Sequence, residues 1–149
     1  MADPISIGAS ILAFIGLADK IIRASRHYLT TVHDAPTDIE MILGEVSSLK
    51  AIIASIGNLA QHHQQQQPAS ASLVACLFSK GGPVDACRRC LAGFEALLPE
   101  VGGGDNKPPH RLMIAQLAWP LKESKARKLL AEISHHKATL LLAISGDVR

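Results

Sequence analysis

Apolar residues recur at steps of three and four between Ile39 and Leu59: Ile39, Ile42, Leu43, Val46, Leu49, Ile52, Ile53, Ile56 and Leu59. This spacing lines them up on one face of an α-helix, whereas on a strand, where side chains alternate, they would scatter to both faces. A helix this one-sided has to bury its stripe against other helices. The stretch carries its own start signal, with Pro36 leading into Thr37 and Asp38, either of which can cap the first turn, and the pattern fades near Ala60.

The N-terminal segment supplies one partner. Ile7, Ile11, Phe14, Ala18, Ile21, Ser25, Tyr28 and Val32 form a mostly apolar stripe on a helix predicted from about Ile5 to Thr31. Asp3 would be its N-cap and Pro4 its first residue, where the missing N–H costs nothing. Leu73 to Phe78 reads as a short helical piece, after which Gly81, Gly82 and Pro83 restart a helix from Val84 to Leu98 on Val84, Cys87, Leu91, Phe94 and Leu98. The pattern resumes at Arg111. Pro120 removes a helical hydrogen bond and clashes with the preceding turn, so a break or a new helix start is expected at Trp119 and Pro120. The last helix, on Leu121, Leu129, Leu130, Ile133, Leu140, Leu141 and Ile144, would then terminate at Gly146.

Gln61 to Ser72 and Val101 to His110 read as loops, the first for its glutamine run Gln64 to Gln67 and Pro68, the second for Gly102 to Gly104 and Pro108-Pro109. No stretch alternates apolar and polar residues at strand length, and there is no internal repeat. The expected architecture is all-α, a helical bundle of about four to six helices forming a single domain over residues 1–149. A chain of this length can bury a sufficient core without a staple. Hydrophobic residues make up 48% and charged residues 19% of it, which argues against a disordered chain. The aromatics are Phe14, Tyr28, Phe78, Phe94 and Trp119, so the core is mainly aliphatic.

Composition also narrows the function. A net charge of +2 and too few aromatics for stacking platforms argue against nucleic acid as a partner. The charge is uneven, because Gly102 to Arg149 holds eight Lys/Arg against four Asp/Glu, so an anionic partner would meet the C-terminal third. The cysteines number three, and no cleavable signal is recognisable at the N-terminus; the chain reads as intracellular and reduced, cytoplasmic at rest.

Cys87 and Cys90 form a C-x-x-C on one helix face, but no second ligand pair stands at zinc spacing, and the adjacent pairs His62-His63 and His135-His136 would point about 100° apart on a helix. They read as packing cysteines, with no metal site. No G-x-S-x-G elbow, phosphate-binding glycine loop or carboxylate pair is present, so the expectation is no enzyme, no catalytic residue and no cofactor.

The run Pro4 to Ala18 carries no charge. Its stripe is backed by further apolar residues, Ile5, Leu12, Ile15 and Leu17, so it is hydrophobic all round, while the following turns carry Lys20, Arg23 and Arg26. A helix of that kind belongs either at a bundle centre or in contact with lipid, and both readings stand. At about 15 residues, or about 22 Å, it falls short of the about 20 residues of a simple membrane span. Gly8, Ala9, Ala13 and Gly16 would let helices approach closely in lipid. The basic run Lys122, Lys125, Arg127 and Lys128 is either a solvated helix face or a contact for anionic headgroups, worth about 1 kcal/mol per charge near the surface.

Three stretches together resemble a known family: MADPISIGASILAFIGLADKIIR at the start, GGPVDACRRCLAGFEALL in the middle and LAWPLKESKARKLLAEISHHKATLLLAI near the end. They are similar, in order and over nearly the whole chain, to the HeLo-like N-terminal domain of fungal STAND (NLR-type) cell-death proteins, which is related to the four-helix domain of the necroptosis executioner pseudokinase. The resemblance implies a membrane-permeabilising or pore-forming effector of regulated cell death in innate immunity or heterokaryon incompatibility. It would oligomerise, expose its N-terminal helix and move from the cytoplasm to the plasma membrane. Ile5, Ile7, Ile11, Leu12, Phe14, Ile15 and Leu17 would form the membrane-active helix, and Trp119 and Pro120 would be structural. Expected partners are membrane lipids, anionic ones first, further copies of the chain, and an upstream NLR or amyloid-signalling protein. Lys20, Arg23, Arg26, Lys122, Lys125, Arg127 and Lys128 would meet anionic lipid. Family members continue into a nucleotide-binding and repeat region or end in an amyloid-forming motif, so the chain is expected to be an isolated effector domain or a piece of a longer one. The alternative is a non-lytic interaction or oligomerisation module at the N-terminus of an NLR-type receptor, its first helix permanently in the core. A charged residue in place of Leu12 or Phe14 is expected to abolish membrane activity with the soluble fold largely intact.

Overall fold

Helix α1 spans Pro4–Thr31 and α2 spans Thr37–His63. A turn of helix over 74–77 follows, then α3 over Pro83–Leu97 and α4 over His110–Asp147. The structure, a computed structural model, describes the backbone of residues 4–32, 35–63, 74–98 and 110–147, and the side chains of 7–32, 35–58, 74–98 and 118–145. The glutamine-rich run, the glycine-rich segment 101–109, the Asp3 cap and the side chains of Ile5, Leu59, His62 and His63 lie outside the described residues. No strand occurs among the described residues, and the chain is an all-α helical bundle.

The expected stripes are the buried faces. On α1, Ile7, Phe14, Ala18, Ile21, Ser25, Tyr28 and Val32 are buried and Ile11 is half-buried. On α2, Ile39, Ile42, Val46, Leu49, Ile52, Ile53 and Ile56 are buried. The short link between these helices folds them back on one another, and α2 carries α4 on its other side while α3 packs against α4 and α1. One core takes side chains from all four helices, among them Ile21, Ile53, Leu91 and Ile133.

α3 starts where the Gly-Gly-Pro sequence predicts, for reasons that differ at each glycine. Gly81 has a φ of 80°, a conformation that a side chain would strain. Gly82 is extended, but a Cβ there would come within 3.0 Å of the carbonyl oxygens of Cys76, Leu77 and Ser79. Pro83 then opens the helix. Asp85 in its first turn accepts a hydrogen bond from the Gly81 N–H at 3.2 Å and pairs with Arg88 at 2.9 Å. Arg88, then the Gly81 N–H, hold its carboxyl below the usual carboxylate range.

α4 departs from expectation. Instead of breaking at Trp119 and Pro120 it is one helix through Pro120, starting at His110 and running past Gly146. Trp119 is buried, its ring 6.5 Å from that of Tyr28 on α1, while Pro120 projects into solvent. The proline costs one backbone hydrogen bond, and the Trp119 anchor holds the helix in line across it. This continuity sets the phase of everything downstream. The buried face is Trp119, Ala126, Leu130, Ile133 and Leu140, which follows the spacing set by Trp119. Leu121, expected to face the core, sits about 200° around the axis from Trp119 and is 88% exposed; Leu141, one step beyond Leu140, is exposed too.

Candidate functional site

The membrane-facing candidates fall on the first four turns of α1, and the bundle divides them. Phe14 is 1% exposed and belongs to the core, and Ile7 is buried. Ile11, Ile15 and Leu17 are half-buried. Leu12 alone of the described residues in this group points into solvent, at 73% exposure. Around it Gly8, Ala9, Ser10, Ala13 and Gly16 are also exposed, making an uncharged surface. A Cβ at Gly8 or Gly16 would meet nothing, so neither glycine serves close packing within the bundle. Helix-interior glycine costs about 1 kcal/mol relative to alanine, and the packing described here returns none of it. Placing a charge at Phe14 would enter the core rather than spare the fold, so of the two expected test positions Leu12 is the one on the surface. Among the described residues, no helix is long and apolar enough to cross a membrane.

Immediately after this surface the charges begin, and they bind α1 to its neighbours. Asp19 accepts from Lys50 of α2 at 2.5 Å, and Lys20 donates to Glu95 of α3 at 2.7 Å. These pairs are partly solvated, and such bridges contribute only about 0–1 kcal/mol each, so they orient the helix more than they hold it. Arg23 and Arg26 are exposed and, with Asp19, Ile22, Ser47 and Lys50, line an open groove of about 610 Å³ between α1 and α2.

The basic run of α4 does not form one free cationic face. Lys122 donates to the Leu97 carbonyl at 3.2 Å, completing the C-terminal end of α3, where a cation also meets the negative end of the helix dipole. Arg127 pairs with Glu123 and stands 3.8 Å from Asp38. Lys125 and Lys128 are exposed, with no ion pair among the described residues. Of the basic residues expected to meet lipid, Arg23, Arg26, Lys125 and Lys128 are therefore open to solvent with no ionic partner among the described residues, and Lys20, Lys122 and Arg127 are engaged.

Sequence reasoning missed one polar cluster. Asp38, read as a cap, is a buried carboxylate that accepts from Trp119 Nε1 at 3.4 Å. It lies with Trp119, Met41, Arg127 and Leu130 along an open groove of about 800 Å³ between α2 and α4. The available signal was Trp119 itself, since a buried indole N–H needs an acceptor. Beyond the groove, Lys137 pairs with Glu45 at 2.9 Å across the same two helices.

The cysteines pack as expected. Cys87 and Cys90 are buried free thiols, and burial pushes them up to about 12 and about 11, the Cys90 thiol also standing 3.7 Å from Glu132. Thiolates are the reactive form, so both are inert at neutral pH, while Cys76 is exposed. No group of three potential metal ligands occurs among the described residues. Compared with protein-family models, curated proteins and solved structures, the chain matches none.

Proposed function

We propose that the protein is a membrane-targeting effector domain, of the kind its sequence resembles, that acts on anionic membranes by self-association and exposure of the first turns of α1. The observation that carries this reading is Leu12, 73% exposed within an uncharged face of Gly8, Ala9, Ser10, Ala13 and Gly16. Small residues with no packing role in the bundle suit close helix approach in lipid. Arg23 and Arg26 follow about two to three turns after Gly16 on the same helix, where basic side chains would meet anionic headgroups. The apolar run is too short to span alone, so an assembly of several copies would shelter its ends. Rest in the cytoplasm, passage to the plasma membrane, and a trigger from an NLR-type or amyloid-signalling partner belong to the same proposal, as does a role in regulated cell death. The chemistry is non-enzymatic and needs no cofactor.

The second reading, a non-lytic interaction module, is favoured by Phe14, Ala18 and Ile21, which sit in the core and tie α1 to the bundle. The two separate in a dye-release assay on liposomes with and without anionic lipid, using the full chain and the same chain oligomerised through a fused coiled coil. Deleting residues 1–18 would remove Phe14 and Ala18 from the core, so Leu12→Glu is the informative variant. Leakage that needs anionic lipid and is lost in Leu12→Glu supports the effector. Intact liposomes at every concentration and in the oligomerised form would leave the interaction module.

A further inference from the structure

The first turns of α1 are held by the main core less than the rest of the helix is. Ile7 and Val74, 7% and 6% exposed, form a small separate cluster; Ile11 and Phe78, both half-buried, bridge it to the main core, whose buried α1 residues begin at Phe14. Val74 and Phe78 belong to the segment between α2 and α3, described from residue 74, where 74–77 form a helical turn. Ile11 makes the other close contact, lying over Gly57 of α2, where a Cβ would meet its Cδ1 at 3.1 Å. From Phe14 onward the attachment is of another order: Phe14, Ala18, Ile21, Ile22, Ala24, Ser25 and Tyr28 are all buried. The two halves meet ahead of Phe14; Gly16, just beyond it, has no neighbour within 4 Å of its would-be Cβ and is the weakest helix former in its turn.

We propose that segment 74–78 is a clasp that holds the first turns of α1 against the bundle, and that its release frees residues up to about Ala13 as a unit while Phe14 to Thr31 stay docked. Local openings of this kind draw on few buried apolar contacts, and here they amount to the cluster of Ile7 and Val74, the half-buried Ile11 and Phe78 that bridge it to the main core, and the close approach of Ile11 to Gly57. Disengaging the whole helix would expose Phe14, Ile21 and Tyr28 and cost the global stability, whereas opening ahead of Phe14 newly exposes only Ile7 and Ile11 among the large described side chains, Leu12 being exposed already. As a device regulating membrane engagement this rests on the function proposed above; as an opening event in water it stands by itself.

Hydrogen exchange by mass spectrometry on the full chain in buffer, without lipid, tests the clasp. In Val74→Ala, amides of residues 8–14 should exchange about tenfold faster, while those of 20–31 and of α2, α3 and α4 keep their rates. Val84→Ala, which thins the main core, is the control and should not single out residues 8–14. Equal acceleration along the whole of α1 in Val74→Ala, or no change at residues 8–14, overturns the clasp. Dye release then tests its consequence, with Val74→Ala expected to leak faster than wild type. Selective opening without leakage would uphold the clasp and remove the membrane reading.

Discussion

Ser25 and Tyr28 stand one turn apart on α1, both fully buried, and neither hydroxyl has a hydrogen-bond partner among the described residues. Each was hydrogen-bonded to water in the unfolded chain, and burying a hydroxyl without replacing that bond costs about 1–3 kcal/mol. Ser25→Ala removes this cost, adds up to about 0.7 kcal/mol of helix propensity, and leaves a void of one oxygen atom, worth a few tenths of a kcal/mol against it. The expected net effect is a gain of about 1–2 kcal/mol, or a melting temperature higher by about 2–8 °C for a chain of this size. Tyr28→Phe keeps the ring against Trp119 and removes only the oxygen, so a gain of about 1 kcal/mol is expected. Because the two sites are neighbours, the double variant need not show the sum. Urea unfolding with calorimetry measures each change. A loss of 1 kcal/mol or more, on the order of one lost hydrogen bond, in either single variant would mean that its hydroxyl is bonded, through a buried water, and the reasoning from unpaired burial would be refuted.

Further outcomes follow from the same packing. In the folded protein a thiol reagent should label Cys76 alone, with Cys87 and Cys90 reacting only on unfolding. Because burial raises both thiols, the unfolded chain releases their protons first, so stability should fall as pH rises through about 9 toward 11, by up to about 1.4 kcal/mol per pH unit per thiol, with Tyr28, also raised by burial, adding to the loss from about pH 10; urea midpoints across this range would read it. Phe14→Ala should cost about 3–5 kcal/mol, and Leu12→Ala about 0.5 kcal/mol or less, in the same unfolding experiment. Pro120→Ala restores the missing N–H of a solvent-facing position in a continuous helix and should stabilise by about 1–3 kcal/mol; destabilisation would mean the helix is broken there.

The stripes of α1 and α2 were legible residue by residue, Ile7 to Val32 and Ile39 to Ile56, because helical periodicity is a property of neighbouring positions and every long apolar face has to be buried somewhere. The start of α3 was legible for the same reason, since Gly81, Gly82 and Pro83 act within one turn of themselves. The division of the candidate site was not. Ile7, Leu12 and Phe14 look alike along the chain, and only the placing of α2 and segment 74–78 buries two and leaves Leu12 outside. Nor could it be read that Lys20, Lys122 and Arg127 are spoken for, since Glu95, the Leu97 carbonyl and Asp38 reach them from other helices.

Sequence by itself determined that the chain is helical, which faces of α1, α2 and α3 turn inward, and that Cys87 and Cys90 are packed. Tertiary structure decided the phase of α4, where the local rule at Pro120 yielded to Trp119 docking against Tyr28 and Asp38. One buried anchor, held from two other helices, outweighs the one hydrogen bond a proline removes, and a helix carried through in register turns Leu121 outward and Leu130 and Ile133 in.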